Sequence, residues 1–447
     1  MNTIRKLSPI AIAVAALVAA PLAFAGAGVS NSQTSAMNEQ GSMFNATGNA
    51  VLGGNAAANA SGNIGINVAT GSQNQQANAG ALASNTNIDD AADSNASVNA
   101  GQLELMDYAW QVMNGANAVD FIGNALQGAS GNIGVNLASG IFNQQGNNMA
   151  ASSAEYSDHA NASIDASQVS AINSTYSNRN YGHEVGASNE TGLYGNVLQN
   201  ASGNIGVNEA AGIGNQQSNS LALATAANTD HEGYPIGATA TVSAFQGMGA
   251  NQTMQGNPYA YYWQWSYVNN TAGLGSNALE GASGNIGANM ASGNSNQQSN
   301  NTALSATSNS YNHQSSTDYA DASAGATQMS LYNTTSDTGV QDSATVDGNA
   351  AANASGNIAI NVAAGAQNQQ ENGLAMASIA SAKAMGNASA PVEQVAYYNG
   401  GTTSGSMYNS NVSGNALAGA SGNLGLNVAT GNGNQQVNTL AIASVTH

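Results

Sequence analysis

Residues 59–78 read Asn59-Ala60-Ser61-Gly62-Asn63-Ile64-Gly65-Ile66-Asn67-Val68-Ala69-Thr70-Gly71-Ser72-Gln73-Asn74-Gln75-Gln76-Ala77-Asn78. The Ser-Gly-Asn half returns with small changes as Gly128 to Asn136, Asn200 to Asn208, Gly281 to Asn289, Asn353 to Asn361 and Gly419 to Asn427. Each copy is followed by Asn-Gln-Gln, at Asn74, Asn143, Asn215, Asn296, Asn368 and Asn434. From the Asn of Ser-Gly-Asn to the Asn of Asn-Gln-Gln the step is 11 residues in all six copies. The copies themselves are unevenly spaced: Ser61, Ser130, Ser202, Ser283, Ser355 and Ser421 lie 69, 72, 81, 72 and 66 residues apart. A fixed inner spacing within a variable period marks a repeat unit with variable connections.

One copy reads as strand, turn, strand. Leu424, Leu426 and Val428 alternate with Asn423, Gly425 and Asn427, the period of an extended chain. Thr430 to Gly433 is rich in turn formers. Asn434, Gln436, Asn438, Leu440 and Ile442 then share one face. The density of Gly and Asn disfavours helix. The expected fold is all-β: stacked β-arc repeats, solenoid-like or amyloid-like, with long irregular acidic loops bulging from the sides.

The amides are identical across copies while the apolar positions drift, as at Ile66, Val135, Val207, Ala288, Ile360 and Leu426. Fixed amides point to side-chain ladders along the stacking axis, each donating to one neighbour and accepting from the other. The candidate ladder is Asn63, Asn67, Asn74, Gln76 and Asn78 in the first copy, and Asn132, Asn136, Asn143, Gln145 and Asn147 in the second. It continues through Asn204, Asn208, Asn215, Gln217 and Asn219, then Asn285, Asn289, Asn296, Gln298 and Asn300. Asn357, Asn361, Asn368, Gln370 and Asn372, then Asn423, Asn427, Asn434, Gln436 and Asn438, complete it. A lone copy satisfies none of these columns, so each must stack on another. One apolar slot holds Glu209, which places the end of that arc near solvent. A fainter mark precedes each copy, a Gln followed five residues later by Asn or Asp: Gln33/Asn38, Gln102/Asp107, Gln168/Asn173, Gln246/Asn251, Gln328/Asn333 and Gln394/Asn399.

Composition agrees with stacking. The 447 residues hold 53 Gly, no Cys, 4 Lys and Arg, and 23 acids. So few cations exclude nucleic acid as a partner. Without Cys no disulfide or thiolate–metal framework exists. Only Glu209, Glu280 and Glu371 fall inside the six repeat cores, and the other acids are expected in water-facing connections.

Met1 to Ala25 has the pattern of a secretory signal: Arg5 and Lys6, an apolar run from Ile10 to Ala20, and Ala23 and Ala25 at the cleavage site. Its removal leaves Arg179 and Lys383 against 23 acids, a net charge of −21. The expected organisation is a signal (1–25), an N-terminal segment (26–54) and cores at 55–84, 124–153, 196–225, 277–306, 349–378 and 415–447. The linkers between them are 85–123, 154–195, 226–276, 307–348 and 379–414, the third carrying the aromatic run Tyr259 to Trp265. That run suits either adhesion or an extra strand.

No nucleophile elbow, phosphate loop or zincin pattern occurs, so no catalytic residue, cofactor or metal site is expected. His159, His183 and His231 sit beside acids without ligand spacing, and Asp89, Asp90 and Asp93 lack a calcium-repeat pattern; all read as solvated loops.

The string Asn-Ala-Ser-Gly-Asn-Ile-Gly-Val-Asn, with Asn-Gln-Gln-x-Asn at fixed distance, resembles the repeats of the Fap functional amyloid subunits of Pseudomonas and relatives, best at Asn200 to Asn219 and Gly419 to Asn438. The resemblance implies an extracellular fibre subunit that supports biofilm and surface attachment. It also implies self-association, an outer-membrane export channel and a second fibre subunit. Six repeats and no Cys depart from the three repeats and C-terminal Cys pair associated with that family's major subunits. Curli repeats share the Gln-x-x-x-x-Asn spacing seen at Gln246 and Asn251, but the period here is about three times too long. The alternative from another class is a monomeric β-solenoid adhesin.

Overall fold

A computed structural model of the chain describes residues 26–36, 38–44, 47–86, 93–112, 116–155, 159–178, 187–228, 236–255, 268–309, 317–381 and 383–446. Every regular element among them is a strand. The strands fall into five parallel sheets, each six layers deep, and each layer contributes one strand to every sheet, except that the sixth layer's first strand is split in two.

The third layer shows the plan. Its five strands are His159–Ala171, Ser174–Asn178, Ala187–Gly195, Ser202–Ile213 and Gln216–Asn228. Each lies in register on its counterparts above and below, so Ser202 sits between Ser130 and Ser283, and Gln216 between Gln144 and Gln297. Uneven spacing is taken up outside the strands. The second and third strands are separated by one residue between Thr338 and Val340 and by twelve between Gln255 and Val268.

Two expectations change here. The linkers are not merely loops, because each supplies three of a layer's five strands. The repeat core therefore supplies two of the five strands that stack. The turn between the fourth and fifth strands is also shorter than Thr430 to Gly433. The strand Ser421–Asn432 runs through Thr430, and Gln435 already begins the next strand. One left-handed residue makes the reversal, with φ of 66° at Gly214 and 56° at Ser295. The Asn that follows closes the turn with its side chain: Asn296 Nδ2 reaches the Ser292 carbonyl at 3.3 Å. Asn434 thus belongs to the turn and not to the face shared by Gln436 and Asn438.

The Gln-x-x-x-x-Asn mark builds the other reversal. Gln246 lies on the first strand, Ala250 takes φ 52°, and Asn251 sits in the turn. Both arcs use the same pairing of a left-handed residue with a turn amide.

Packing follows strand alternation. The outer face of the fourth strand (Ile205, Val207) joins Leu193 of the third and Leu198 of the preceding turn in one fully buried apolar column. A second column lies between the fifth and first strands and is mostly alanine, as at Ala222, Ala224, Ala238 and Ala240. Alanine lets the two sheets approach closely and packs with little side-chain entropy to lose. Between the fourth and fifth strands the facing residues are amides.

Two glycine columns allow this close stacking. Gly203 has φ +107° and Gly212 φ +115°. A Cβ on either would stand 2.2–2.3 Å from a glycine carbonyl of the adjacent layer. No side chain fits there, and both positions are Gly in all six copies.

Candidate functional site: amide columns along the stack

The fifth strand presents Gln217 and Asn219 toward the fourth strand's Asn208. Gln217 Nε2 donates to Gln298 Oε1 at 2.8 Å, and Gln145 Nε2 donates to Gln217 Oε1 at 2.8 Å. The same bond joins Gln76 to Gln145, Gln298 to Gln370 and Gln370 to Gln436. Each of these amides spends its other N–H on a carbonyl of its own layer, as Gln217 does on Glu209 O at 2.7 Å.

Asn208 and Asn219 form a linked pair. Asn219 Nδ2 donates to Asn208 Oδ1 at 2.9 Å within the layer, and Asn208 Nδ2 donates to Asn136 Oδ1 at 2.9 Å in the layer below. Equivalent bonds join Asn67, Asn136, Asn289, Asn361 and Asn427. They also join Asn78, Asn147, Asn300, Asn372 and Asn438. The turn amides Asn74, Asn143, Asn215, Asn296, Asn368 and Asn434 make a fourth column. Asn63, Asn132, Asn204, Asn285, Asn357 and Asn423 make a fifth at the more open end of the arc.

Other columns went unread in the sequence. The middle residue of Asn-Gln-Gln faces the opposite way, where Gln216 Nε2 donates to Gln144 Oε1 at 2.7 Å and to the Gly247 carbonyl at 3.2 Å. The Gln of the fainter mark stacks too: Gln246 Nε2 donates to Gln168 Oε1 at 2.8 Å and to the Gln298 carbonyl at 3.0 Å. It thereby ties the first strand to the fifth. Asn117, Asn189 and Asn270 form a column on the third strand that ends on Asp342, with Asn270 Nδ2 donating to Asp342 Oδ1 at 2.8 Å. The invariance of both glutamines within the chain was the available signal.

Several acids are buried in the stack. Glu209 is fully buried, which corrects its expected place near solvent: it points into the apolar column between Leu137 and Met290. Neither carboxyl oxygen of Glu104 has a hydrogen-bond partner among the described residues. Burial raises the pKa of Glu209 well above the ordinary value, and Asp120 nearby adds to it against a Gly192 backbone hydrogen bond. Burial likewise raises Glu104, with Asp107 adding to the effect. Glu371 is raised by burial despite hydrogen bonds with Asn301 and Ser299. Asp342 is pushed up to about 6 by burial, while Asn270 and the Gly431 backbone pull the other way. Glu104, Asp107, Asp318 and Asp342 therefore depart from the water-facing role expected of linker acids.

His159 also departs from a solvated loop. It opens a strand, and its ring lies 5.5 Å from that of Tyr319 two layers away, across Gly237. Asp93 is exposed. Ala23, Ala25, Asp89, Asp90, His183, His231 and the run Tyr259 to Trp265 lie outside the described residues.

Columns of neutral amides in register bind one layer to the next without charge. A shift of one residue would turn every side chain to the opposite face, so the columns and the apolar faces specify the same register.

Comparison with protein families matches the chain to the functional amyloid protein FapB/FapC family over residues 26–226, 170–335 and 321–447. Among curated proteins, the functional amyloid subunit FapC of Pseudomonas aeruginosa is 33% identical over 294 residues, spanning 60% of this chain and 79% of the relative. No solved structure matches.

Proposed function

The chain belongs to the functional amyloid protein FapB/FapC family, and from that premise we propose that it is a structural subunit whose six-layer stack is extended by further copies into an extracellular fibre. The observation that carries this is the open state of both outer layers. Each of the five sheets ends on a strand with one neighbour among the described residues. Such edges template further strands unless they are blunted. The sixth layer has one interruption, where Ala390 and Pro391 split its first strand into Ala384–Ser389 and Val392–Tyr397. Its other four strands are unbroken.

The amide columns hold the register of each layer and of each junction between copies. Residues 1–25 direct export and are removed after Ala25. The partners are further copies of the chain, a second fibre subunit with Asn-Gln-Gln repeats, and an outer-membrane export channel. The fibre supports biofilm and surface attachment, and the chain performs no catalysis.

Fibre diffraction and thioflavin fluorescence of the chain lacking residues 1–25 test this reading. The expected result is a meridional reflection near ~4.7 Å with a rise in fluorescence. A chain that stays monomeric for days at high concentration, without that reflection, would instead support a monomeric adhesin.

A further inference from the structure

The two outer layers are chemically different, and they are complementary. Most amide columns run one way: each layer donates to the layer before it. Gln394 donates to Gln328, Gln435 to Gln369, and Asn423 to Asn357. Among the described residues, the oxygens of Gln394, Gln435 and Asn423 in the sixth layer consequently receive no amide donor, although their counterparts in inner layers do. In the first layer the shortfall is reversed. Gln33, Gln75 and Asn63 accept from the second layer and have an N–H left over. The Gln76 column runs the opposite way, and its two ends are complementary in the same sense. Gln436 has a spare N–H and Gln76 a spare oxygen.

Side-chain amides can in principle turn over, but these are held. Gln33 Nε2 also donates to the Gln76 carbonyl, Gln75 Nε2 to the Leu103 carbonyl, and Gln436 Nε2 to the Val428 carbonyl. A turned amide would set oxygen against oxygen at each of these places. The apolar columns also stop short. Leu424 in the sixth layer is 42% exposed, while Ile358 below it is 1% exposed.

We propose that the sixth layer of one copy receives the first layer of a second copy, head to tail, with each column continued in register, so that the fibre is polar. This rests on the fibre-subunit reading. Gln33, Gln75 and Asn63 of the incoming copy would donate to Gln394, Gln435 and Asn423, and Gln436 would donate to the incoming Gln76. Head-to-head or tail-to-tail contact would place donors on donors and acceptors on acceptors.

Cross-linking tests the polarity. Ser84 and Ser444 occupy the same column, in the first and sixth layers. In one chain they are five layers apart, roughly 24 Å, but across a head-to-tail junction they are adjacent at about 4.8 Å. The chain has no Cys, so Ser84→Cys and Ser444→Cys introduce the only thiols. Fibres of each single variant, of their 1:1 mixture and of the double variant are treated with a short thiol–thiol cross-linker and run on a denaturing gel. Expected are no cross-links in either single variant, dimers in the mixture and a ladder of multimers in the double variant. Dimers in either or both single variants, or fibres of the double variant that do not cross-link, overturn the head-to-tail junction. Absence of fibres from the unsubstituted chain would instead remove the fibre reading.

Discussion

Asp342→Asn isolates the cost of one buried carboxylate. Asp342 is 3% exposed and stands where the second, third and fourth layers of its column carry Asn. Its pKa rises from 3.8 to about 6, chiefly through burial. The stacked state therefore holds the proton more tightly than the free chain does. The stability this group allows is fully present below pH 3.8, falls as pH rises, and is lost above about 6. The difference of about 2 pH units corresponds to about 3 kcal/mol. Asn removes that cost but forfeits the hydrogen bond from the Gly431 N–H, worth about 1 kcal/mol at any pH. The variant should thus be about 2 kcal/mol more stable than the parent at pH 8 and about 1 kcal/mol less stable at pH 3. The assay is the monomer concentration left in equilibrium with fibres, measured for both proteins at both pH values. Other acids titrate identically in parent and variant and cancel. The ratio of parent to variant residual monomer should rise roughly a hundredfold from pH 3 to pH 8. A ratio independent of pH refutes the assignment of a costly buried carboxylate at this position.

Further substitutions probe the glycine and amide columns. Gly212→Ala places a Cβ at φ +115° against the Gly293 carbonyl; the backbone term alone is about 1–2 kcal/mol, so residual monomer should rise at least about fivefold. Gly101→Ala, with open space around its Cβ, should leave the value unchanged. Replacing Gln76, Gln145, Gln217, Gln298, Gln370 and Gln436 together by Glu stacks like charges at strand spacing and should abolish thioflavin-positive growth at pH 7. Undiminished growth there would remove the amide columns from the account of register.

The repeat core was legible because its alternation is clean and its amides do not vary. The other half of each layer was harder to read for physical reasons. Its first strand packs through Ala96, Val98 and Ala100 in one layer and Ala238, Ala240 and Val242 in another, so burial there requires smallness more than hydrophobicity. The Ala and Ser that meet this need also abound in disordered chains. The second strands are short, with only Gln252–Gln255 in the fourth layer. The Gln-x-x-x-x-Asn mark carried more than its faintness suggested, since its Gln is a stacking residue and its Asn a turn amide. Burial of acids left no trace in sequence. Glu104 follows Ser35 and precedes Ser170 in its column, and nothing in that series anticipates a carboxyl without a partner. Glu209 was legible as an apolar slot; the error lay in moving the slot toward water to suit the residue.

Mass per unit length of unstained fibres, by scanning transmission electron microscopy, tests the layered account most directly. Six layers at about 4.8 Å give roughly 29 Å of fibre per chain. With a chain of 44.4 kDa the account predicts about 1.5 kDa per Å for a single filament. A filament in which every chain occupies a single layer would give about 9 kDa per Å, and that value would contradict it.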